Sequence, residues 1–200
     1  MRSSTSHIAA ASSLGLLLLL GGTLAAGAAA SKLDEVLAQC VSCHGEEGRK
    51  ARPEVPSISG QPKLFLQYQL FFFREGRRKN EDMNALAKDM SDTDLLALSE
   101  AISAQKRVLP QPVSVDRTPF ERGAALAQAR NCQSCHNADY SGREQMPALA
   151  GQQETYLAKS LREYKTGVRV GTQAAMAEVL SGLAAADFDD LAHYLANVRP

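Results

Sequence analysis

Apolar side chains recur at helical spacing along most of this chain, and no stretch alternates convincingly with the period of two that marks a strand. Two stripes at positions i, i+4 and i+7 predict amphipathic helices over about 63–75 and 153–166. The stripes consist of Leu66, Leu70 and Phe73 in the first helix and of Leu157, Leu161 and Tyr164 in the second. The pattern therefore predicts an all-α fold.

Four further helices follow from shorter apolar patterns and from capping signals. They cover about 34–39, 91–105, 120–129 and 184–197. The sequence Ser91-x-x-Asp94 resembles a capping box, which supports the start of the second of these helices.

The first thirty residues, 1–30, have the features of a secretory signal peptide. Arg2 supplies a positive start, Leu14–Leu20 is an apolar run, and Ala28–Ala30 offers small residues for cleavage. The alternative is an uncleaved membrane anchor, although the apolar run is short for a membrane span. We expect the chain to be exported.

The rest of the chain contains one sequence unit twice. Cys40–His44 reads Cys-Val-Ser-Cys-His, and Cys132–His136 reads Cys-Gln-Ser-Cys-His. Pro56–Gln61 matches Pro147–Gln152 at nearly the same offset, and the proline-rich stretch between the units reads as a semi-rigid linker. The predicted division is a first unit at 31–108, a linker at 109–117 and a second unit at 118–200.

Charge and size narrow the function. The 200 residues include 22 Lys and Arg against 22 Asp and Glu, so the formal net charge is zero. A nucleic-acid binder normally carries a strong basic excess, which argues against that class. Each unit is near the size at which a single apolar core is barely sufficient, and a large apolar cofactor inside each unit would relieve that shortage.

The four cysteines all belong to the two Cys-x-x-Cys-His motifs. These motifs supply Cys40, Cys43 and His44 in the first unit and Cys132, Cys135 and His136 in the second. On one helical turn the two thiols and the imidazole project to the same side. The thiols can then form thioethers with the two vinyl groups of a haem while the imidazole ligates its iron. The spacing predicts two covalently bound haem c groups per chain.

Three other uses of these cysteines explain less of the motif. A disulfide framework suits an exported protein but gives the histidine after each pair no role. A zinc site usually has its cysteine pairs much closer together in the sequence. A thioredoxin-like redox pair requires a βαβ context, which the sequence lacks.

The second axial position of each iron decides the function, because a methionine closes the iron for electron transfer whereas an open position permits oxygen or peroxide chemistry. Met83 and Met176 are the methionines that the repeat relates to each other, which predicts both as ligands. Met90 has no methionine counterpart and is interpreted as core, and Met146 lies close in sequence to the proximal histidine. His193 is interpreted as a surface or packing residue.

Taken together, these residues resemble a dihaem cytochrome c of the cytochrome c4 type, and the resemblance covers nearly all of 31–200. It rests on the two haem motifs, the Pro-x-x-x-Gly-Gln stretches at 56–61 and 147–152, Tyr156-Leu157, the pairs Gly76 with Arg78 and Gly167 with Arg169, and Met83 with Met176. The resemblance implies two tandem all-α cytochrome c domains, each wrapped around one haem with His/Met ligation. It also implies that the backbone carbonyls of Pro56 and Pro147 accept hydrogen bonds from His44 and His136.

The resemblance further implies an electron carrier in the periplasm that is not an enzyme. Its expected partners are redox proteins, with a quinol–cytochrome c reductase or a dehydrogenase as donor and a terminal oxidase or reductase as acceptor, and peripheral association with the membrane is compatible with this role. The main alternative is the dihaem subunit of a periplasmic dehydrogenase complex. A dihaem peroxidase is a weaker alternative, since it needs one iron that can open.

Two departures from the family pattern qualify this reading. The second unit has Gly123 and Tyr194 where its first and last helices should cross, whereas the first unit has Ser31 and Ala101, so we expect a looser crossing there. The helix at 63–75 is also unusually aromatic.

The aromatic face of that helix has three interpretations. Phe71 and Phe72 stand where the second unit has Arg162 and Glu163. One hypothesis places the two rings at the interdomain contact or at a partner-docking patch. The alternative is ordinary core. The basic run that follows, at 74–79, is interpreted as a solvated helix end, a docking surface or a partner for haem propionates.

Overall fold

The computed structural model describes residues 21–46, 52, 54–109, 115–169 and 174–199. Its secondary structure is helical, as predicted, and the described residues contain no strand beyond an isolated bridge between Arg143 and Met146. The helices are α1 (Gly21–His44), α2 (Lys63–Arg74), α3 (Glu81–Ala87), α4 (Asp92–Ser103), α5 (Arg117–Ala129), α6 (Gln133–His136), α7 (Glu154–Lys165), α8 (Ala174–Val179) and α9 (Ala185–Asn197).

The six predicted helices are present, and their ends differ from the expected ones mainly at α1, which is much longer than predicted. The capping box of α4 forms as expected. The backbone N–H of Asp94 donates to Ser91 Oγ at 3.1 Å, and the backbone N–H of Ser91 donates to the Asp94 carboxylate at 2.9 Å. Of the other three helices, α6 is the helical turn expected at the second cysteine motif. The sequence patterns missed α3 and α8, which have 7 and 6 residues and are too short to show a full apolar stripe.

The second unit is built on a close crossing of α5 and α9. A Cβ added at Gly123 would lie 2.1 Å from the carbonyl oxygen of Asp190 and 2.6 Å from Tyr194 Cβ, so only glycine fits. The Arg122 guanidinium pairs with the Asp190 carboxylate at 2.6 Å beside this contact. The predicted small–aromatic crossing is therefore present. The core below it is formed by Leu157, Leu161, Leu180, Phe188, Leu191 and Leu195.

The Gly123→Ala variant should lower the free energy of unfolding by about 1–3 kcal/mol, even though alanine has the higher helix propensity. The added methyl group meets backbone of α9, which cannot move without separating the two helices. Thermal unfolding of the haem-loaded protein measures the effect. The matched control is Gln128→Ala on the exposed side of the same helix, which should leave the melting temperature nearly unchanged.

The core of the first unit is smaller within the described residues. Leu66, Leu98 and Ile102 are buried together, and side chains of α1, including Leu33 and Val36, pack against them. α1 meets α4 over a shorter stretch than α5 meets α9. The first unit therefore has less apolar packing of its own to hold its helices around a site.

Two of the sequence predictions fall wholly or partly outside the described residues. Positions 1–20 of the predicted signal peptide are not described, and 21–30 form the start of α1. Residues 110–114 of the predicted linker are likewise outside the described part. Among the residues that the structure describes, no helix combines the length and hydrophobicity needed to cross a bilayer.

Candidate functional site

The first cysteine motif occupies the last turn of α1. Cys40 and Cys43 lie one turn apart, and His44 is the final residue of the helix, with only 8% of its surface exposed. His44 Nδ1 is 2.7 Å from the carbonyl oxygen of Pro56. Since a carbonyl can only accept, Nδ1 carries the proton and Nε2 keeps its lone pair. Burial lowers the pKa of His44 and raises that of Cys40.

The second motif forms a turn of its own, α6, directly after α5. Cys132 caps this turn, Cys135 lies within it and His136 ends it. His136 Nδ1 donates to the Pro147 carbonyl at 2.9 Å, and burial lowers the pKa of His136. His136 Nε2 is buried and has no hydrogen-bond partner in the described part of the chain. A buried imidazole nitrogen that is unprotonated and unpartnered fits a metal-ligating role.

The two bonds from histidine to proline carbonyl confirm the backbone acceptors that the family resemblance implied. None of the four cysteines forms a disulfide, and the described residues contain no group of three or more His, Cys, Asp or Glu side chains arranged to hold a metal ion.

A largely apolar cavity of about 610 Å³ adjoins both histidines. It is lined by side chains from both units, and His44, His136, Met83 and Met176 all reach it. Cys40 and Cys43 also line it. Cys132 and Cys135 are not among its lining residues. For the first unit the cavity carries Cys40, Cys43, His44 and Met83, which is the donor set that a covalently attached haem requires, and for the second unit it carries the histidine and the methionine.

All four methionines after residue 30 touch this cavity, so proximity to it does not separate ligands from packing residues. Met90 also packs against the first core, as predicted. Met146 directly precedes Pro147, beside the proximal histidine of the second unit. Met83 and Met176 lie on α3 and α8, the two short helices that the sequence patterns missed.

The helix that carries Met83 is fixed to the end of α2 by two asparagines. Asn80 Oδ1 accepts from the backbone N–H of Met83 at 3.0 Å. Asn84 Nδ2 donates to the carbonyls of Phe73 and Arg78 at 2.6 and 2.9 Å. In the second unit Met176 packs against the larger core instead. These contacts fix the position of each methionine backbone relative to the cavity.

Two arginines at equivalent repeat positions meet where the units touch. Arg78 donates to Gln69 Oε1 at 2.7 Å and to Tyr156 OH at 3.4 Å. Arg169 donates to Ser160 Oγ at 2.8 Å, to Tyr156 OH at 3.2 Å and to the same Gln69 oxygen at 3.3 Å. Arg169 is only 8% exposed, and its Nε is buried without a partner in the described part.

This arginine pair has no carboxylate in direct contact, although Glu163 stabilises the charge of Arg169 at longer range. Among the described residues, no carboxylate lies within ion-pair distance of Arg78 or Arg169. Burial raises the pKa of Tyr156, but Arg169 and Arg78 outweigh that effect and lower it to about 7. Buried cations are normally paired, so this position fits the carboxylates of a bound cofactor. The repeat of Arg78 and Arg169 in the sequence was the available signal, but it did not reveal that both bind the same glutamine and tyrosine.

The aromatic face of α2 is covered by this chain. Phe72 is 3% exposed, stacks on Tyr68 and lies under Arg77. Phe71 is half-buried, with the Arg74 guanidinium over its ring. Phe72 is therefore not available to a partner, and the docking hypothesis is wrong for that ring. Of the basic run, Arg74 pairs with Asp92 and Glu75 at the helix end, whereas Arg78 points to the interface.

His193 behaves as a packing residue, as interpreted from the sequence. Its Nδ1 lies 3.2 Å from the Glu154 carboxylate, between α9 and α7. Its Nε2 is buried without a partner among the described residues, like that of His136, but His193 is not among the residues that line the cavity.

Comparison with known proteins relates the site to haem proteins. The family model for cytochrome c matches residues 120–199. Cytochrome c4 of Azotobacter vinelandii is 30% identical over 204 residues, covering 92% of this chain and 97% of that protein. The crystal structure of reduced recombinant cytochrome c4 from Pseudomonas stutzeri has a TM-score of 0.75 and 25% identity, over 84% of this chain and 98% of that one. The thiosulfate dehydrogenase electron acceptor of Thiomonas intermedia is 31% identical over 67% of this chain and 66% of that protein.

Proposed function

This chain belongs to the cytochrome c4 family of dihaem electron carriers, and from that premise we propose that it passes single electrons between redox proteins of the periplasm. It carries two covalent haem c groups and is not an enzyme. We also propose that the protein works in the periplasm, that the two cysteine motifs hold the haems, and that the chain divides into domains at 31–108 and 118–200.

The proposed attachment uses the two cysteine motifs. Cys40 and Cys43 hold one haem, and Cys132 and Cys135 hold the other. When bound, each haem supplies an iron that accepts and releases one electron. The cysteines fix the cofactor to the helix end that also carries the histidine, so cofactor and ligand cannot separate.

The proposed axial ligands are His44 with Met83 and His136 with Met176. Each histidine presents an unprotonated Nε2 because its Nδ1 proton is held by a proline carbonyl, and this bond also increases the donor strength of the imidazole. Each methionine lies on a short helix at the same cavity. With both axial positions filled by protein, the ligands need not change during electron transfer, and small molecules have no open position to bind.

Arg78 and Arg169 are proposed to pair with haem propionates. Replacing Arg169 by Gln removes a buried positive charge that destabilises the oxidised haem. The oxidised state should then be more stable, so the haem reduction potential should fall. The expected shift is a few tens of millivolts, since about 59 mV corresponds to a tenfold change for one electron. The matched control is Arg162→Gln, an arginine on the surface paired with Asp189, whose charge is screened by water. Equal shifts in the two variants would contradict the assignment.

The proposed function depends mainly on one observation. In both units the motif histidine is bound to a proline carbonyl, and a methionine of the same unit lines the cavity that the histidine reaches. A potentiometric titration followed by optical absorption tests it. We expect two reversible one-electron steps and no binding of carbon monoxide by the reduced native protein. Rapid uptake of carbon monoxide would favour an enzyme with an open iron.

A second candidate is a subunit that accepts electrons inside a dehydrogenase complex. It is favoured by the relatives named thiosulfate dehydrogenase electron acceptor, in Thiomonas intermedia and in Stutzerimonas stutzeri. Size-exclusion chromatography of the native protein separates the two candidates. A free carrier elutes as a single chain, whereas a subunit elutes together with a catalytic partner.

A further inference from the structure

Two glutamines at equivalent positions of the repeat cross the interface and bind the backbone of the opposite unit. Gln152 Oε1 accepts from the backbone N–H of Ser57 at 2.8 Å, and its Nε2 donates to the Ser57 carbonyl at 2.8 Å. Gln61 Oε1 accepts from the backbone N–H of Ala148 at 2.9 Å, and its Nε2 donates to the Ala148 carbonyl at 3.0 Å. Gln61 and Gln152 are 2% and 4% exposed.

In the first unit, the peptide group that Gln152 binds is the one that holds the proximal histidine. The Ser57 N–H and the Pro56 carbonyl belong to the same planar amide. The carbonyl accepts from His44 Nδ1, and the N–H donates to Gln152 Oε1. One amide therefore connects the histidine of the first unit to a side chain of the second.

The second unit has the mirror arrangement. The Pro147 carbonyl accepts from His136 Nδ1, and the N–H of the same amide, from Ala148, donates to Gln61 Oε1. The crossing is reciprocal, because each glutamine binds the peptide group whose carbonyl accepts from the histidine ring of the opposite unit.

Hydrogen bonds in such a chain strengthen one another. An amide whose N–H donates to an oxygen carries more negative charge on its own carbonyl oxygen. That carbonyl then pulls harder on the histidine Nδ1 proton and makes Nε2 a stronger donor to iron. A stronger donor stabilises the oxidised iron and lowers the reduction potential.

We propose that Gln152 and Gln61 are positioning residues that tune the axial histidine of the opposite domain, so that each haem potential depends on a side chain of the other domain. The inference rests on the proposed ligation by His44 and His136. This tuning role is distinct from simply holding the units together. Other contacts join the units without involving an amide that binds a histidine, such as the bond from the Glu54 backbone N–H to Thr155 Oγ1 at 3.1 Å.

The test compares Gln152→Leu, Gln61→Leu and the control Thr155→Val in the haem-loaded protein. Each haem potential is measured by redox titration, and NMR of the histidine ring protons at intermediate potentials assigns each step to a domain. Gln152→Leu should raise the potential of the first-domain haem, and Gln61→Leu that of the second-domain haem. In the reduced protein the matching Nδ1 proton, of His44 or His136, should move upfield. Thr155→Val should change neither potential.

Three outcomes would overturn the inference: shifts confined to the mutated domain, equal shifts of both haems, or no shifts. If a leucine variant does not fold, the corresponding methionine variant, Gln152→Met or Gln61→Met, is measured instead. Methionine keeps the length of the side chain but lacks the amide. Failure of the underlying ligation is recognised separately. In that case the ring protons of His44 and His136 in the reduced wild-type protein lack the large shifts that a haem ring current causes in an axial ligand, whereas failure of the inference alone leaves these shifts intact.

Discussion

A chain with alanine at both Cys132 and Cys135 should mature with one covalently bound haem instead of two. The two cysteines of this motif form no disulfide, and the chain's other two cysteines belong to the first motif and cannot replace them. Intact mass of the denatured protein and its absorption in alkaline pyridine both count covalent haem. The equivalent change at Cys40 and Cys43 should also leave one haem, and the full change at all four positions should leave none.

The matched control for this experiment is Ser134→Ala. Ser134 lies between the two cysteines and its hydroxyl donates to the Asn131 carbonyl, so the change disturbs the same turn without removing a thiol. It should retain two haems. A Cys132/Cys135 variant that keeps two covalent haems would contradict the attachment sites.

Met83→Ala and Met176→Ala should each remove about half of the methionine–iron charge-transfer band of the oxidised protein, because each is proposed to ligate one of two irons. Each variant should also bind carbon monoxide at one haem after reduction, since the far side of that iron has lost its ligand. Optical spectra with and without carbon monoxide measure both effects.

The best controls for this prediction are the other two methionines at the cavity. Met90→Leu and Met146→Leu should keep the full band, although both side chains line the same space. The leucine at position 90 also matches Leu183 in the second unit. Loss of the band in either control would show that the wrong methionine has been assigned as ligand.

The sequence predicted those helices that are long enough to show a repeated apolar pattern. α2, α4, α7 and α9 lie close to the expected ranges because each shows an apolar stripe or a cap. α3 and α8 were missed because a helix of one or two turns has too few positions to show a period. The equivalence of Met83 and Met176 predicted these two methionines as ligands without the helices that carry them.

Interactions between the units could not be predicted, because they depend on how two helical bodies dock. Gln61 and Gln152 were visible as repeated residues in the Pro-x-x-x-Gly-Gln stretches, but their reciprocal contacts follow only from the three-dimensional arrangement. Phe72 shows an alternative that the sequence left open. Comparison with the second unit allowed a contact or docking ring as well as ordinary core, and the structure buries the ring against Tyr68 and under Arg77.

The arginine pair at the junction also makes the contact between the two halves sensitive to cofactor loading. Arg78 and Arg169 share one phenol and one amide there, and no carboxylate of the described residues forms an ion pair with either guanidinium. With propionates as the proposed counter-charges, we expect the two halves to associate more weakly in a cofactor-free chain than in the haem-loaded protein.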